Sequence, residues 1–520
     1  MFRPNEFKRP ALHWRVVAPH LAAMLLLALL IYTPWARVPF TMLDYSEFLP
    51  LLRRSNSFVD GLGNLVSYYH SHGRASYLAY VQLAANWAVF GARPVAWNMM
   101  VFLYMFAAVT AAWFLLVRLG HNYLTATAAA SLLIVATPAI PGWLRPSGEP
   151  LALLFFCSAV LLAQSYSAAP HWRARCVLLL ISLLAIGLSK DLLAPIAVVP
   201  VIVACFWDGG LRWPRRSPRN VALLSGAALV AAALAFIVVS AQLGRAPNAY
   251  TSGYRLANVS PEWVVTVFLL MLLPATSAFT IPQMLANVGL LTACVLGWTV
   301  RSGNPPGRPR LIRLVSMLGF VLLGAVLYAP VAWFSPLYGL PFFLATVALL
   351  AGALAGAAQG PKTVRCLVRT TAAIAIVIAA GVAFNQSRFE VAERRLDGRL
   401  SDVLRSVPNV DSVLIAVPTV NPWRWAQQSA VLVRYAHDRG DLASAAVGTR
   451  DIACRSLHAD SLPGGRVLLI NLREKCGPLP IPAGQLEERY TILDPLPITR
   501  ILRAQYVLVA PGASALPKPR

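Results

Sequence analysis

Apolar residues fill the first 385 positions in long blocks, each closed by a short polar stretch. A helix that crosses a bilayer needs about 20 apolar residues, because lipid offers its backbone no hydrogen-bond partner. The blocks predict spans over 16–35, 95–117, 123–141, 150–166, 176–189, 192–207, 221–243, 283–300, 312–330, 338–357 and 368–385. The run 176–207 is too long for one straight span. Lys190-Asp191 interrupts it, so two helices are expected to meet there. Residues 264–279 are apolar but contain Pro274, which points to a re-entrant or interfacial segment rather than a crossing.

The loops supply an orientation. Cytoplasmic loops collect Lys and Arg. Basic residues mark 1–15 (Arg3, Lys8, Arg9, Arg15), 118–122 (Arg118), 167–175 (Arg173, Arg175), 208–220 (Arg212, Arg215, Arg216, Arg219), 301–311 (Arg301, Arg308, Arg310) and 358–369 (Lys362, Arg365, Arg369). Read as inner, these segments alternate consistently with outer loops, of which 331–337 has no basic residue. The N-terminus is then cytoplasmic, and the tail lies outside after an odd number of crossings. Counting 264–279 as a crossing would put Arg308, Arg310 and Lys362 outside.

Two regions break the pattern. Residues 36–93 form a long first outer loop with an amphipathic end, Tyr77 to Phe90. Residues 386–520 hold 13 of the 21 acidic residues, so their charge is nearly balanced. This tail opens with an amphipathic helix, 388–406. The apolar runs 413–417, 467–470 and 506–509 then suggest buried strands alternating with helices. The predicted fold class is an α-helical polytopic membrane protein of about eleven transmembrane helices, residues 1–385, with a small C-terminal α/β domain, residues 386–520.

Composition agrees with a membrane protein. Charged residues are 13% of the chain and mean hydropathy is +0.61, whereas soluble domains carry about 25% charge. The net charge of +24 does not signal nucleic acid, because the arginines sit in short loops between apolar blocks. The seven cysteines have no metal-ligand spacing. Cys157, Cys176, Cys205, Cys294 and Cys366 lie in or beside spans and read as apolar residues. Cys454 and Cys476 share the polar tail and could pair if it is exported. The basic N-terminus, with its long apolar run and no small-residue cleavage site, does not read as a cleavable signal.

Against this background eight acidic residues in the first 385 positions stand out: Glu6, Asp44, Glu47, Asp60, Glu149, Asp191, Asp208 and Glu262. Charge beside hydrocarbon is costly, so each is a functional candidate. In the topology above all but Glu6 and Asp208 gather at the outer face. Asp44 could accept a proton from a sugar hydroxyl. Asp44-x-x-Glu47 equally fits a capping box opening a helix over 45–54. In Tyr68-Tyr69-His70-Ser71-His72-Gly73-Arg74 the aromatics read as interface anchors, while His70, His72 and Arg74 could meet phosphate or substrate. In Trp143-Leu144-Arg145-Pro146-Ser147-Gly148-Glu149-Pro150, Ser147 could cap the next helix, and Glu149 could serve only its dipole. Lys190 could neutralise a lipid phosphate as a compact point charge, or make a local arrangement with Asp191.

Together these residues resemble the GT-C superfamily of polytopic glycosyltransferases, which use polyprenyl-phosphate-linked sugars. The resemblance covers about residues 15–360. It is carried by Asp44 shortly after the first span and by Asn86-Trp87-Ala88-Val89-Phe90-Gly91-Ala92-Arg93-Pro94, leading into a span that ends Arg118-Leu119-Gly120. Thr137-Pro138 with Trp143 and Glu149 follows. Gly187-Leu188-Ser189-Lys190-Asp191 is similar to the Ser-Lys-Glu element of the mannosyltransferase-like branch. Trp333-Phe334-Ser335-Pro336-Leu337-Tyr338-Gly339-Leu340-Pro341 is similar to its Arg-Tyr-Leu-x-x-Pro element, without the Arg.

The resemblance implies an outward-facing cavity, inversion at the anomeric carbon and Asp44 as the base. The candidate substrate contacts are Glu47, Arg74, Arg145, Glu149, Lys190, Asp191, Arg255 and Tyr338, with Arg74, Arg145, Lys190 and Arg255 the candidates to hold the donor's anionic head. No Asp-x-Asp lies near the first span, so a metal-dependent oligosaccharyltransferase pattern is not supported and no cofactor is expected. The expected partners are a polyprenyl-phosphate sugar donor, a glycan, lipid or protein acceptor, and membrane lipids. The expected place is the outer face of a bacterial inner membrane, with the C-terminal domain periplasmic. Two other readings compete. A transporter or flippase of lipid-linked glycans should show inverted repeats and mid-membrane polar residues, and the mid-span segments here are nearly free of charge. A non-catalytic scaffold displaying the C-terminal domain would fit a degenerate outer cavity.

Overall fold

The computed structural model describes residues 14–38, 45–71, 74–136, 139–144, 147–165, 172–201, 218–243, 259–273, 281–299, 308–330, 336–406, 412–417, 448–453, 467–472, 486–493 and 501–509. The chain divides into two compact units. The first comprises Met1–Thr33, Val66–Val89 and Ala96–Phe384; the second comprises Pro34–Leu65, Phe90–Val95 and Asn385–Arg520.

The first stretch is α1 (Trp14–Tyr32), α2 (Tyr45–Arg53), α3 (Phe58–Ser71), α4 (Tyr77–Phe90) and α5 (Pro94–Arg118). Then come α6 (Tyr123–Ala130), α7 (Leu132–Val135), α8 (Ile140–Leu144), α9 (Gly148–Ser165) and α10 (Trp172–Ser189). A 3₁₀ segment, Asp191–Val198, precedes α11 (Pro218–Leu243), α12 (Pro261–Leu272), α13 (Ile281–Thr299) and α14 (Arg308–Tyr328). A short 3₁₀ turn, Pro336–Gly339, leads into α15 (Leu340–Ala358), and α16 spans Lys362–Ser406.

Among the described residues, five helices are long and apolar enough to cross a membrane: Trp14–Ala36, Pro94–Arg118, Ile281–Thr299, Leu340–Ala358 and Lys362–Arg388. Tyr123–Val135, Gly148–Ala163, Ser225–Ile237, Pro261–Leu272 and Leu314–Tyr328 are shorter apolar helices. The span expected over 123–141 is broken. Asn122 caps its start, accepting from the Thr125 N–H at 2.8 Å, and a turn at Ser131 separates α6 from α7. The run 176–207 changes from α-helix to 3₁₀ at Lys190. The span over 368–385 and the amphipathic helix over 388–406 are one continuous helix of 45 residues. No proline separates them, so the backbone bonds continue where the apolar composition stops.

α15 is the central helix of the first unit: 83% of its apolar window is buried, and it packs against α6, α9, α12, α13 and α14. Its crossing with α13 relies on small residues. A Cβ on Gly297 would overlap the Ala353 backbone, and one on Gly356 would meet the Gly297 carbonyl oxygen at 2.5 Å. In lipid, where apolar side chains gain little by leaving the solvent, such close backbone packing is what holds helices together. The Trp298 indole fastens the same pair, donating to the Leu349 carbonyl at 3.0 Å.

In the second unit a five-stranded sheet contains β1 (Ser412–Val417), β2 (Gly448–Ala453), β3 (Val467–Leu472), β4 (Leu486–Leu493) and β5 (Ile501–Val509), in the order β2-β1-β3-β5-β4. β1 runs parallel to β2 and β3, with Ser412 opposite Gly448 and Val467. β5 runs antiparallel to β3 and β4, with Val467 opposite Val509. The apolar runs 413–417, 467–470 and 506–509 lie in β1, β3 and β5. The connections, and Cys454 and Cys476 with them, fall outside the described residues. Cys157, Cys176, Cys294 and Cys366 are free thiols.

Candidate active site

The site is built where helices stop. α8 is fixed by its tryptophan. The Trp143 indole donates to the Leu133 carbonyl at 3.0 Å and stacks on Tyr32 at 4.8 Å, with 7° between the rings. The Tyr32 hydroxyl donates to the Ile134 carbonyl at 2.7 Å. Both bonds end on α7, so the broken helix becomes a rigid platform, and α8 also touches the turn Pro336–Gly339.

α9 starts just beyond this platform. Gly148 opens it because nothing larger fits: a Cβ there would overlap the Ser189 carbonyl oxygen at the end of α10. Glu149, in the first turn of α9, is fully buried. α10 ends at Ser189, whose hydroxyl donates back to the Ala185 carbonyl at 2.6 Å. Lys190 leaves the helix in an extended conformation (φ −153°, ψ 125°), and its carbonyl accepts from the Leu193 N–H at 2.9 Å, starting the 3₁₀ segment.

These two helix ends bring opposite charges together. Lys190 Nζ lies 3.1 Å from Glu149 Oε1, with 16% of the Lys190 side chain exposed. The acid sits at a helix N-terminus and the base just past a helix C-terminus, so each matches its helix dipole. The contact is ionic: it lacks hydrogen-bond geometry, and neither Glu149 oxygen has a hydrogen-bond partner among the described residues. Lys190 Nζ also lies over the Tyr338 ring, 4.9 Å from its centre. Tyr338 stacks on Tyr328 at 5.2 Å, and Tyr328 meets Phe342 edge-on at 6.3 Å. The result is a partly open ammonium with a carboxylate on one side and an aromatic wall on another. Such a group can take a single phosphate-like anion.

Of the residues singled out in the sequence, the fold brings Glu149, Lys190 and Tyr338 together. Asp44, Arg145 and Arg255 lie outside the described residues. Glu47 falls in α2 and Asp191 opens the 3₁₀ segment; their side chains are outside the description. Arg74 lies between α3 and α4, its N–H donating to the Tyr69 carbonyl at 2.9 Å. That hairpin stacks Tyr69 on Tyr80 at 4.8 Å and sets the Tyr77 hydroxyl 3.5 Å from His70 Nδ1. The capping role considered for Ser147 is not seen: its hydroxyl has no hydrogen-bond partner among the described residues. Two other acids lie in the first turns of helices. The Asp60 N–H donates to the Ser57 hydroxyl at 3.1 Å. Glu262 lies in the first turn of α12, where hydrogen bonds from its own backbone N–H and from Ser260 hold its carboxyl below the usual range.

Sequence reasoning nominated Glu149 and Lys190 separately and missed that they pair. A signal was present. α9 and α10 are neighbours joined by a short connection, so the start of one and the end of the other must share one end of the hairpin. It also missed Tyr328, the ring beneath Tyr338.

No family model matches the chain, and no curated protein matches it. Solved structures do. ArnT from Cupriavidus metallidurans bound to undecaprenyl phosphate matches with a TM-score of 0.48 and 13% identity, over 97% of this chain and 99% of that one. The Archaeoglobus fulgidus oligosaccharyltransferase in the apo form matches with a TM-score of 0.43 and 13% identity, over 81% of this chain and 64% of that one. These neighbours are GT-C glycosyltransferases. At this level of superposition the likeness carries no weight for function.

Proposed function

We propose that the protein is an inverting glycosyltransferase that moves a sugar from a polyprenyl phosphate, undecaprenyl phosphate in a bacterium, to a cell-envelope acceptor at the outer face of the inner membrane. In this reading the chain crosses the membrane eleven times, with the N-terminus cytoplasmic and the small C-terminal α/β domain periplasmic. One observation carries the proposal. The polar elements of the GT-C resemblance at Glu149, Lys190 and Tyr338 are far apart in sequence, yet they meet in one buried cluster around the partly open Lys190 ammonium.

The chemistry asked of the protein is modest, because the leaving group is already a phosphate. The acceptor oxygen attacks the anomeric carbon, the bond from that carbon to the phosphate oxygen breaks, and polyprenyl phosphate leaves. Asp44 takes the acceptor's proton. Lys190 holds the phosphate, with Tyr338 flanking its ammonium; Arg74, Arg145 and Arg255 are further candidates for the anionic head, and Glu47 and Asp191 for the sugar or acceptor. Positioning two substrates in line supplies most of the acceleration.

The test is transfer of radiolabel from a panel of polyprenyl-phosphate sugars in membranes containing the protein. At least one donor should label an envelope acceptor. Asp44→Asn should abolish that transfer while leaving expression and Tm almost unchanged, since an amide can still cap a helix but cannot take a proton. Full activity in Asp44→Asn would remove the base assignment, and no transfer from any donor would remove the proposal.

A further inference from the structure

The Glu149–Lys190 pair is held asymmetrically. A buried carboxylate ordinarily collects hydrogen bonds, yet both oxygens of Glu149 lack them among the described residues and the 3.1 Å ionic contact to Lys190 is what balances its charge. Glu149 cannot move far to improve this. Its neighbour Gly148 is pressed against the Ser189 carbonyl, which fixes the start of α9 on the end of α10. Lys190 is the adaptable member. Its backbone is pinned by the Leu193 N–H, but its ammonium rides on a flexible stem at the open side of the site.

The charges of donor and product give this asymmetry a use. A polyprenyl-phosphate sugar is a phosphodiester with one negative charge. The polyprenyl phosphate left after transfer is a monoester, with a charge of about −1.5 to −2 at neutral pH. A lone lysine would therefore hold the product more tightly than the donor, and release would be slow. We infer that Glu149 is an internal competitor for Lys190. It holds the ammonium in the empty site, gives way to the donor, and repels the doubly charged product and recaptures Lys190 as the product leaves. Glu149 is a positioning residue for turnover and does not touch the sugar. The inference rests on the reading of this cluster as the donor-phosphate site.

The experiment titrates undecaprenyl phosphate, and in a separate arm inorganic phosphate, into the full-length protein in detergent. Wild type is compared with Glu149→Gln and Glu149→Asp. Wild type should bind the lipid phosphate and respond weakly to inorganic phosphate. Glu149→Gln should bind the lipid phosphate about tenfold more tightly, and its transfer reaction should show a lower kcat with stronger inhibition by added undecaprenyl phosphate. Glu149→Asp, whose shorter carboxylate reaches Lys190 less well, should tighten binding in the same direction by a smaller factor. It serves as the deciding variant if Glu149→Gln does not accumulate. Wild-type binding with no tightening in either variant overturns the competitor role and leaves the donor site standing. Equal tightening toward inorganic phosphate and lipid phosphate makes the site a general anion trap and overturns the release role. No binding of lipid phosphate by any form overturns the donor-site reading itself.

Discussion

Two polar clusters in the first unit are built on opposite principles. In one, Thr127 satisfies everything around it. Its hydroxyl donates to the Tyr123 carbonyl at 2.8 Å and accepts from the Trp113 indole at 3.0 Å, with His20 Nδ1 also at 3.0 Å. Trp113 and Tyr123 stack at 5.7 Å and close the cluster. In the other, Glu149 is fully buried with no hydrogen bond among the described residues, and it faces a lysine that is partly open to solvent. A satisfied network fixes helices in place, whereas a charge left with one adaptable partner suits a group that must exchange partners. The first cluster reads as architecture and the second as machinery.

Breaking the charged cluster should do the most damage. Lys190→Met leaves a buried carboxylate without its ion and should cost about 3–5 kcal/mol, visible as a large fall in Tm in detergent. A small change would mean that Glu149 has another partner. Gly148→Ala should come next. Its methyl must push the start of α9 away from the Ser189 carbonyl, an overpacking cost of about 1–3 kcal/mol, and Glu149 should be drawn from Lys190. The readout is loss of undecaprenyl phosphate discrimination together with the fall in Tm. Thr127→Val should be milder. It strands the Trp113 N–H and the His20 partner, costing about 1–2 kcal/mol, and it should leave lipid-phosphate affinity where it was. An affinity change in Thr127→Val would erase the distinction between the clusters.

Long apolar helices are legible because length and composition alone decide them. The span expected over 95–117 is α5, Pro94–Arg118, and that over 283–300 is α13, Ile281–Thr299. Helix continuity is less legible. Residues 362–406 change from apolar to amphipathic, and composition suggested two elements where the backbone makes one. The break after Ala130 was hidden inside an apolar run; there the Ser131 hydroxyl joins its own N–H on the Thr127 carbonyl, at 2.8 and 2.9 Å, a back-bond of the kind that bends helices. For the site, residue types were readable, and partnerships only as far as the shared end of the α9–α10 hairpin. Lys190 could be seen as a cation at a helix break, but its pairing with Glu149 depends on the packing of α10 on α9, and the ring over it comes from a turn roughly 150 positions away in sequence.

If the buried Glu149–Lys190 pair serves chemistry, as proposed, it should be dispensable for folding. The double variant Glu149→Leu/Lys190→Met tests it most directly, because replacing both ions by apolar groups of similar size is often neutral for stability. The double variant should reach the membrane, melt near the wild-type temperature and no longer transfer sugar from polyprenyl phosphate. A double variant that is folded and transfers sugar at the wild-type rate would contradict it.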